Sequence, residues 1–142
     1  DAINYGLFYS DWHLERIIKR LVGEAKRLRA ETLLIGECGH ASRSAKAFVP
    51  TFGGAHPPPV VNIMELAHAQ FVSGGLQLIE NAIQETTTYH DPCNIARRGG
   101  IIEAPRKVLN ALTSDFVEMH PHGARNYCCG GVGGLASTGD YG

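Results

Sequence analysis

Cys128 and Cys129 stand side by side and open the run Gly130-Gly131-Val132-Gly133-Gly134. A disulfide needs Cα atoms about 5.5 Å apart with converging Cβ vectors, so chain neighbours are poorly placed to bridge one another. Core filling does not explain the pair either, because glycines on one side leave little side chain to pack against. Glycine takes φ > 0 turns and lets the backbone approach a bulky group closely. Two thiols on such a loop suit ligands for something large, polarizable and sulfur-loving. The other two of the four cysteines lie in Glu37-Cys38-Gly39-His40 and in Tyr89-His90-Asp91-Pro92-Cys93-Asn94.

Iron–sulfur clusters are held by cysteine thiolates. Backbone N–H groups from glycine-rich loops stabilise the anionic cluster sulfurs and tune their potential. Zinc is the main competitor, but it prefers four closed ligands in short paired spacings such as C-x₂₋₄-C, which this chain lacks. Adjacent thiols strain a tetrahedral site and can instead serve several irons. The residues therefore favour an iron–sulfur cluster and leave zinc open.

Other chemistries fit less well. The glycine run lacks the Lys-Ser/Thr of a phosphate loop and the spacing of a dinucleotide fingerprint. Cys93 with His90 as base would make a thiol nucleophile, although the Asp-Pro-Cys turn equally suits a fixed ligand. Cys38 reads either as a ligand or as an ordinary buried cysteine. His40 and His90 lie beside cysteines and are candidates to donate protons or hydrogen bonds. His13, His56 and His68 read as surface or core residues.

The elements that must position these residues alternate. Ser10 or Asp11 caps a helix to about Arg29, with Leu14, Ile17, Ile18, Leu21, Ala25 and Leu28 on its apolar face. Its other face carries Arg16, Lys19, Arg20, Lys26, Arg27 and Arg29, which reads as a solvated surface or, less simply, a dock for an acidic partner. Short apolar or β-branched runs at 32–36, 60–63, 86–89 and 116–119 read as strands. Residues 41–48, 65–72, 76–84 and 105–112 read as helices, and Pro50–Pro59 as a loop. This pattern predicts an α/β fold, an open and mainly parallel sheet with helices on both faces. Cys38 and Cys93 follow predicted strands, so the site falls at the carboxyl ends of the strands.

The 142 residues, 44% hydrophobic and 19% charged, suit one α/β region with a real core. A formal net charge of −1 gives no reason to expect nucleic acid or an anionic membrane. No apolar run approaches the roughly 20 residues of a membrane span. The chain begins at Asp1 and ends in Tyr141-Gly142, and it reads as a piece of a longer polypeptide.

The constellation resembles the cysteine-rich CCG domain of heterodisulfide reductases and their relatives. That pattern has a lone Cys, then a Cys-Cys-Gly, then a Cys-x-x-Cys. Here Cys93 is the lone residue and Cys128-Cys129-Gly130 follows 35 positions on. The wording around Cys38, Cys93 and the pair is most like the branch linked to dissimilatory sulfite reduction. The resemblance implies a noncubane [4Fe-4S] cluster with an open iron that takes a substrate sulfur and cleaves an S–S bond. It implies Cys93, Cys128 and Cys129 as ligands. Cys38 matches the first Cys of a preceding Cys-x-x-Cys, whose second place holds Ala41. The implied substrate is a heterodisulfide, or a disulfide or trisulfide on a small sulfur-carrier protein. The implied electron source is a quinol pool reached through a membrane cytochrome-type subunit, with the chain held on the cytoplasmic side by its partner subunits. The family's downstream Cys-x-x-Cys is expected beyond Gly142.

Overall fold

A computed structural model describes residues 10–131. Val132, Gly133 and Gly134 of the expected glycine loop lie outside the described residues. The chain forms two compact units, one ending at Asn62 and resuming at Gly130, the other spanning Ile63–Cys129.

In the first unit, α1 (Asp11–Arg27) buries Leu14, Ile18, Val22 and Ala25, a three-and-four spacing that gives one apolar stripe. The basic face is exposed, which matches the solvated reading. Helix α1 ends two residues earlier than the periodicity predicts. Arg29 turns left-handed with φ 55. Its N–H donates to Lys26 O at 3.0 Å, and Ala30 N–H donates to Ala25 O at 2.9 Å. This is a Schellman stop made without glycine.

Strand β1 (Leu33–Ile35) pairs in parallel with β2 (Val60–Asn62), with Leu33 opposite Val60 and Ile35 opposite Asn62. Helix α2 (Gly39–Phe52) makes the crossover. It runs through Pro50 into the expected loop. Pro50 sits in the last turn, where its missing N–H costs one bond. Phe48 and Phe52 stack with ring centroids 5.9 Å apart, and Val49 is buried. Packing thus outweighs the proline's preference. The core joins Leu14, Ile18 and Val22 of α1 to Ala45 and Val49 of α2. Asn62 Nδ2 donates to Gly36 O at 3.3 Å and to Ser42 Oγ at 3.1 Å, fixing the end of β1 to α2 and β2.

In the second unit, α3 (Ile63–Val72) packs against α4 (Glu103–Leu112). The helix expected over 76–84 does not form. Gly74 turns left-handed with φ 78, and Leu76 N–H bonds back to Gln70 O at 3.0 Å. Downstream, Ile83 N–H reaches Leu112 O at 2.9 Å and Ser114 N–H reaches Ile83 O at 3.0 Å. Pairing with the stretch after α4 replaces helix formation. The strands expected over 86–89 and 116–119 do not form; there the chain makes a single isolated parallel bridge, Thr87 to Phe116, and a second bridge, Ile83 to Thr113, falls outside both ranges. The fold is α/β, with parallel pairing and four α-helices among the described residues. No helix among the described residues is long and apolar enough to cross a membrane.

Candidate metal centre

None of the four cysteines is in a disulfide. Cys93, half-buried, and Cys128 and Cys129, both exposed, lie in the second unit. Cys38 lies in the first unit, where it is the N-cap of α2 and its Sγ accepts the Ala41 N–H at 3.4 Å. That bond satisfies one of the donors left over at a helix start. Cys38 follows β1 by three residues.

Cys93 opens a tight run of turns. Ala96 N–H donates to Pro92 O at 2.9 Å and Arg98 N–H to Cys93 O at 3.0 Å. Ile95, Ala96 and Ile101 bury the inner side of that run. Asn94 Nδ2 lies 3.7 Å from Cys93 Sγ, a donor aimed at the sulfur.

Four hydrogen bonds tie the Cys93 segment to the segment that leads into the cysteine pair. Gly123 N–H donates to Asp91 Oδ2 at 2.6 Å, and Asn126 Nδ2 donates to the Asp91 carbonyl. Arg97 Nη1 donates to Asn126 O at 2.9 Å, and His90 Nε2 meets Tyr127 O at 3.1 Å. A carbonyl only accepts, so His90 Nε2 carries its proton there. That proton is committed one residue before Cys128. Gly123 has φ 58, and a Cβ there would come within 3.3 Å of Ile102, so this bond needs glycine. Gly130 has φ 84, a left-handed turn immediately after the pair.

Beneath these segments lies a buried ionic set that sequence reasoning did not assign. Arg106 of α4 donates from Nη1 and Nη2 to both Asp91 oxygens at 2.8 and 2.7 Å. It donates from Nε and Nη2 to both Glu118 oxygens at 2.7 and 2.8 Å, and from Nη1 to Ile102 O at 2.9 Å. The Asp91 side chain is 0% exposed and that of Arg106 9%. These hydrogen bonds hold both carboxyls below their usual range against the opposing effect of desolvation. The same bonds push the guanidinium further up. Burial, then the Asp91 charge, raises the Tyr89 hydroxyl. In the first unit, burial and then Arg43 lower the His40 imidazole.

A readable signal for Arg106 existed. Counting round α4 places it between Ile102 and Leu109, on the stripe that buries Pro105 and Val108. A guanidinium on an apolar stripe demands buried anions. Asp91 and Asn126 gave no such signal, because turn residues are common in loops.

The ligand atoms of Asp91, Glu118 and His122 lie within 4.8 Å of one another. Arg106 already donates to all four of those carboxylate oxygens, so this group is an ion network. Among the described residues, no thiol belongs to a group of three ligand atoms that close. One tetrahedral zinc would need sulfurs about 3.8 Å apart, from Zn–S bonds of about 2.3 Å. Cys93, Cys128 and Cys129 form no such closed group with a third ligand atom among the described residues.

Residues 87–140 match the CCG cysteine-rich domain family. Relatives of the heterodisulfide reductase type support that family. Over 93% of its length the chain is 29% identical to the Hdr-like menaquinol oxidoreductase iron-sulfur subunit 2 of Archaeoglobus fulgidus. Over 87% it is 31% identical to a subunit of the dihydromethanophenazine:CoB--CoM heterodisulfide reductase of Methanosarcina acetivorans. Over 50% it is 46% identical to a probable membrane-anchored ferredoxin of Chromohalobacter salexigens. The chain spans 30%, 31% and 11% of the lengths of these three relatives. No solved structure matches the chain. The CCG match takes in Cys93, Cys128 and Cys129 and leaves out Cys38.

Proposed function

We propose that this chain supplies the cluster-holding part of a heterodisulfide reductase-like iron–sulfur oxidoreductase. Cys93, Cys128 and Cys129 would hold a [4Fe-4S] cluster of the noncubane type, with Cys38 as a fourth ligand. When bound, that group supplies electrons one at a time to cleave an S–S bond. The substrate class is a heterodisulfide, or a disulfide or trisulfide on a small sulfur-carrier protein. Electrons come from a membrane quinol pool through a cytochrome-type partner, and the chain sits on the cytoplasmic side with its partners. Within the family the reading is nearest to the catalytic iron–sulfur component of the Dsr membrane complex, which belongs to dissimilatory sulfur metabolism.

The observation that carries this reading is the set of four hydrogen bonds between the Cys93 segment and the Gly123–Tyr127 segment. They hold three thiols on tied backbone while leaving the pair open to a large partner. The residues' own work follows from their contacts. Asn94 points an amide at the Cys93 sulfur, which stabilises a thiolate there. His90 fixes the carbonyl ahead of the pair and keeps its own ring oriented. Gly130 takes the positive-φ turn after the pair, and as glycine it places no side chain beside the thiols.

The test uses the protein purified without oxygen together with its co-purifying subunits. Iron and acid-labile sulfide are measured, and EPR spectra are recorded before and after adding a disulfide substrate. Iron with sulfide, a spectrum that changes with substrate, and loss of both on Cys128→Ser support the reading. Iron-free protein with full disulfide reductase activity, or zinc in place of iron, overturns it.

A second reading makes the chain an electron relay or a structural metal domain without its own turnover. The similarity to a ferredoxin favours it over part of the chain. Unaltered turnover with a destabilised protein in Cys129→Ser would select this second reading.

A further inference from the structure

We propose that Asp91, Arg106 and Asn126 are positioning residues, which set where Cys93 stands relative to Cys128 and Cys129. This inference rests on the reading of those thiols as ligands of one group. The cysteines lie on loops, and a loop alone does not hold three sulfurs in register. Asp91 meets both sides of the arrangement. Its carboxylate takes Arg106 from α4 and the Gly123 N–H, while its carbonyl takes the Asn126 amide. It stands two residues before Cys93, and Asn126 stands two residues before Cys128. Arg106 in turn is pinned by Glu118 and the Ile102 carbonyl, so the fixed point is the helix and not the loop.

Asn126 is 2% exposed, yet its Oδ1 has no hydrogen-bond partner among the described residues. A buried acceptor left unpaired weakens the fold. The amide's contribution comes through its Nδ2, which holds the Asp91 carbonyl. Groups that orient metal ligands from behind typically alter affinity or activity by about 10–100-fold when changed.

The test compares Asn126→Ala and Arg106→Lys with Val108→Ala, a substitution on the buried face of α4 that makes none of these bonds. Arg106→Lys keeps the charge and loses the two-armed grip. Two readouts are taken on the protein with its partner subunits. The first is iron retained against a chelator together with the EPR g-values. The second, on iron-free protein, is the yield of intramolecular cross-linking between Cys93 and the pair by a short bifunctional thiol reagent. Asn126→Ala and Arg106→Lys are expected to weaken iron retention about 10–100-fold, shift the g-values and lower the cross-link yield. Val108→Ala at matched thermal stability should change none of these. Wild-type cross-link yield in both test variants overturns the proposal, as does an equal loss in Val108→Ala. Wild-type protein that holds no iron fails the cluster reading, while the cross-link readout still decides the positioning role.

Discussion

In the first unit the largest side chains that lose contact with water are Leu14, Ile18 and Val49. In the second they are Asp91, Asn126 and Pro105, with Arg106 close behind. The first unit also buries polar atoms, but Asn62 and Ser42 are neutral and answer each other. The second buries charge. Apolar packing is non-directional, so it tolerates exchange of one shape for a similar one. A buried guanidinium between two carboxylates is directional, and its partners cannot be removed singly. The unit that carries three of the four thiols is the one built on directional contacts. That division suits a fold in which one region must be stable and the other must hold a fixed arrangement.

The comparison breaks most easily at Asp91. Asp91→Ala leaves Arg106 without one of its two anions and the Gly123 N–H without its acceptor. Removing one member of a buried pair costs about 3–5 kcal/mol. Chemical denaturation should show that loss, and amide exchange should rise in α4 while α1 keeps its protection. A loss below about 1 kcal/mol would put this network among surface pairs and end the contrast.

Next in size is Ile18→Ala, which empties a site that is 0% exposed between α1 and α2. Such truncations cost about 2–5 kcal/mol according to how far the site collapses. Its partner experiments sharpen the comparison. Ile18→Leu should cost less than about 1.5 kcal/mol, since volume is conserved. Arg106→Lys conserves charge but not the fork, and it should cost more than Ile18→Leu. Equal tolerance of the two conservative changes would show that directionality does not separate the units.

These two regions were not equally legible in the sequence. The three-and-four spacing of Leu14, Ile17, Leu21, Ala25 and Leu28 identified α1, and the short apolar runs identified β1 and β2, because apolar periodicity is local. The cysteines were legible too, since adjacency and glycines constrain what thiols can do. Residues 76–84 were misread because their pairing partners lie about Leu112 and Thr113, and tertiary pairing overrode local preference. The extension of α2 past Pro50 came from stacking of Phe48 on Phe52, which a proline rule alone does not weigh. The Asp91–Arg106–Glu118 set spans 28 positions from Asp91 to Glu118 and has no motif. Its only local trace is an arginine on the inner stripe of α4.

Acid should separate the units by where each begins to loosen. His40 in the first unit has its pKa lowered from 6.5. The unfolded chain therefore binds that proton more readily, and stability falls as pH drops below 6.5 towards the lower folded value. Asp91 and Glu118 in the second unit are lowered from 3.8 and 4.5. Their contribution is fully present above those values and is lost as pH falls through the still lower folded values. Residue-resolved amide exchange on descending pH should show α2 loosening slightly first and α4 later but more steeply. Simultaneous loosening near neutral pH would contradict the ordering.

The smallest effect tests the first unit's freedom to improve. Arg29 holds the left-handed position of the Schellman stop after α1, with φ 55. A non-glycine residue there costs about 1–2 kcal/mol. Arg29→Gly removes that cost, and the extra freedom of glycine in the unfolded chain returns about 0.5–1 kcal/mol of it. The net expectation is a gain of about 0.5 kcal/mol, visible as a small rise in the melting temperature of the first unit. Arg29 is exposed, so no packed contact opposes the change. The mirror experiment is Gly123→Ala in the second unit, where the same left-handed φ is coupled to the Asp91 hydrogen bond and to contact with Ile102. There the alanine should be destabilising. Opposite signs at two left-handed positions would mean that the first unit can absorb a backbone change and the second cannot. A gain from Gly123→Ala would show that the ring of contacts round Asp91 is looser than its distances suggest.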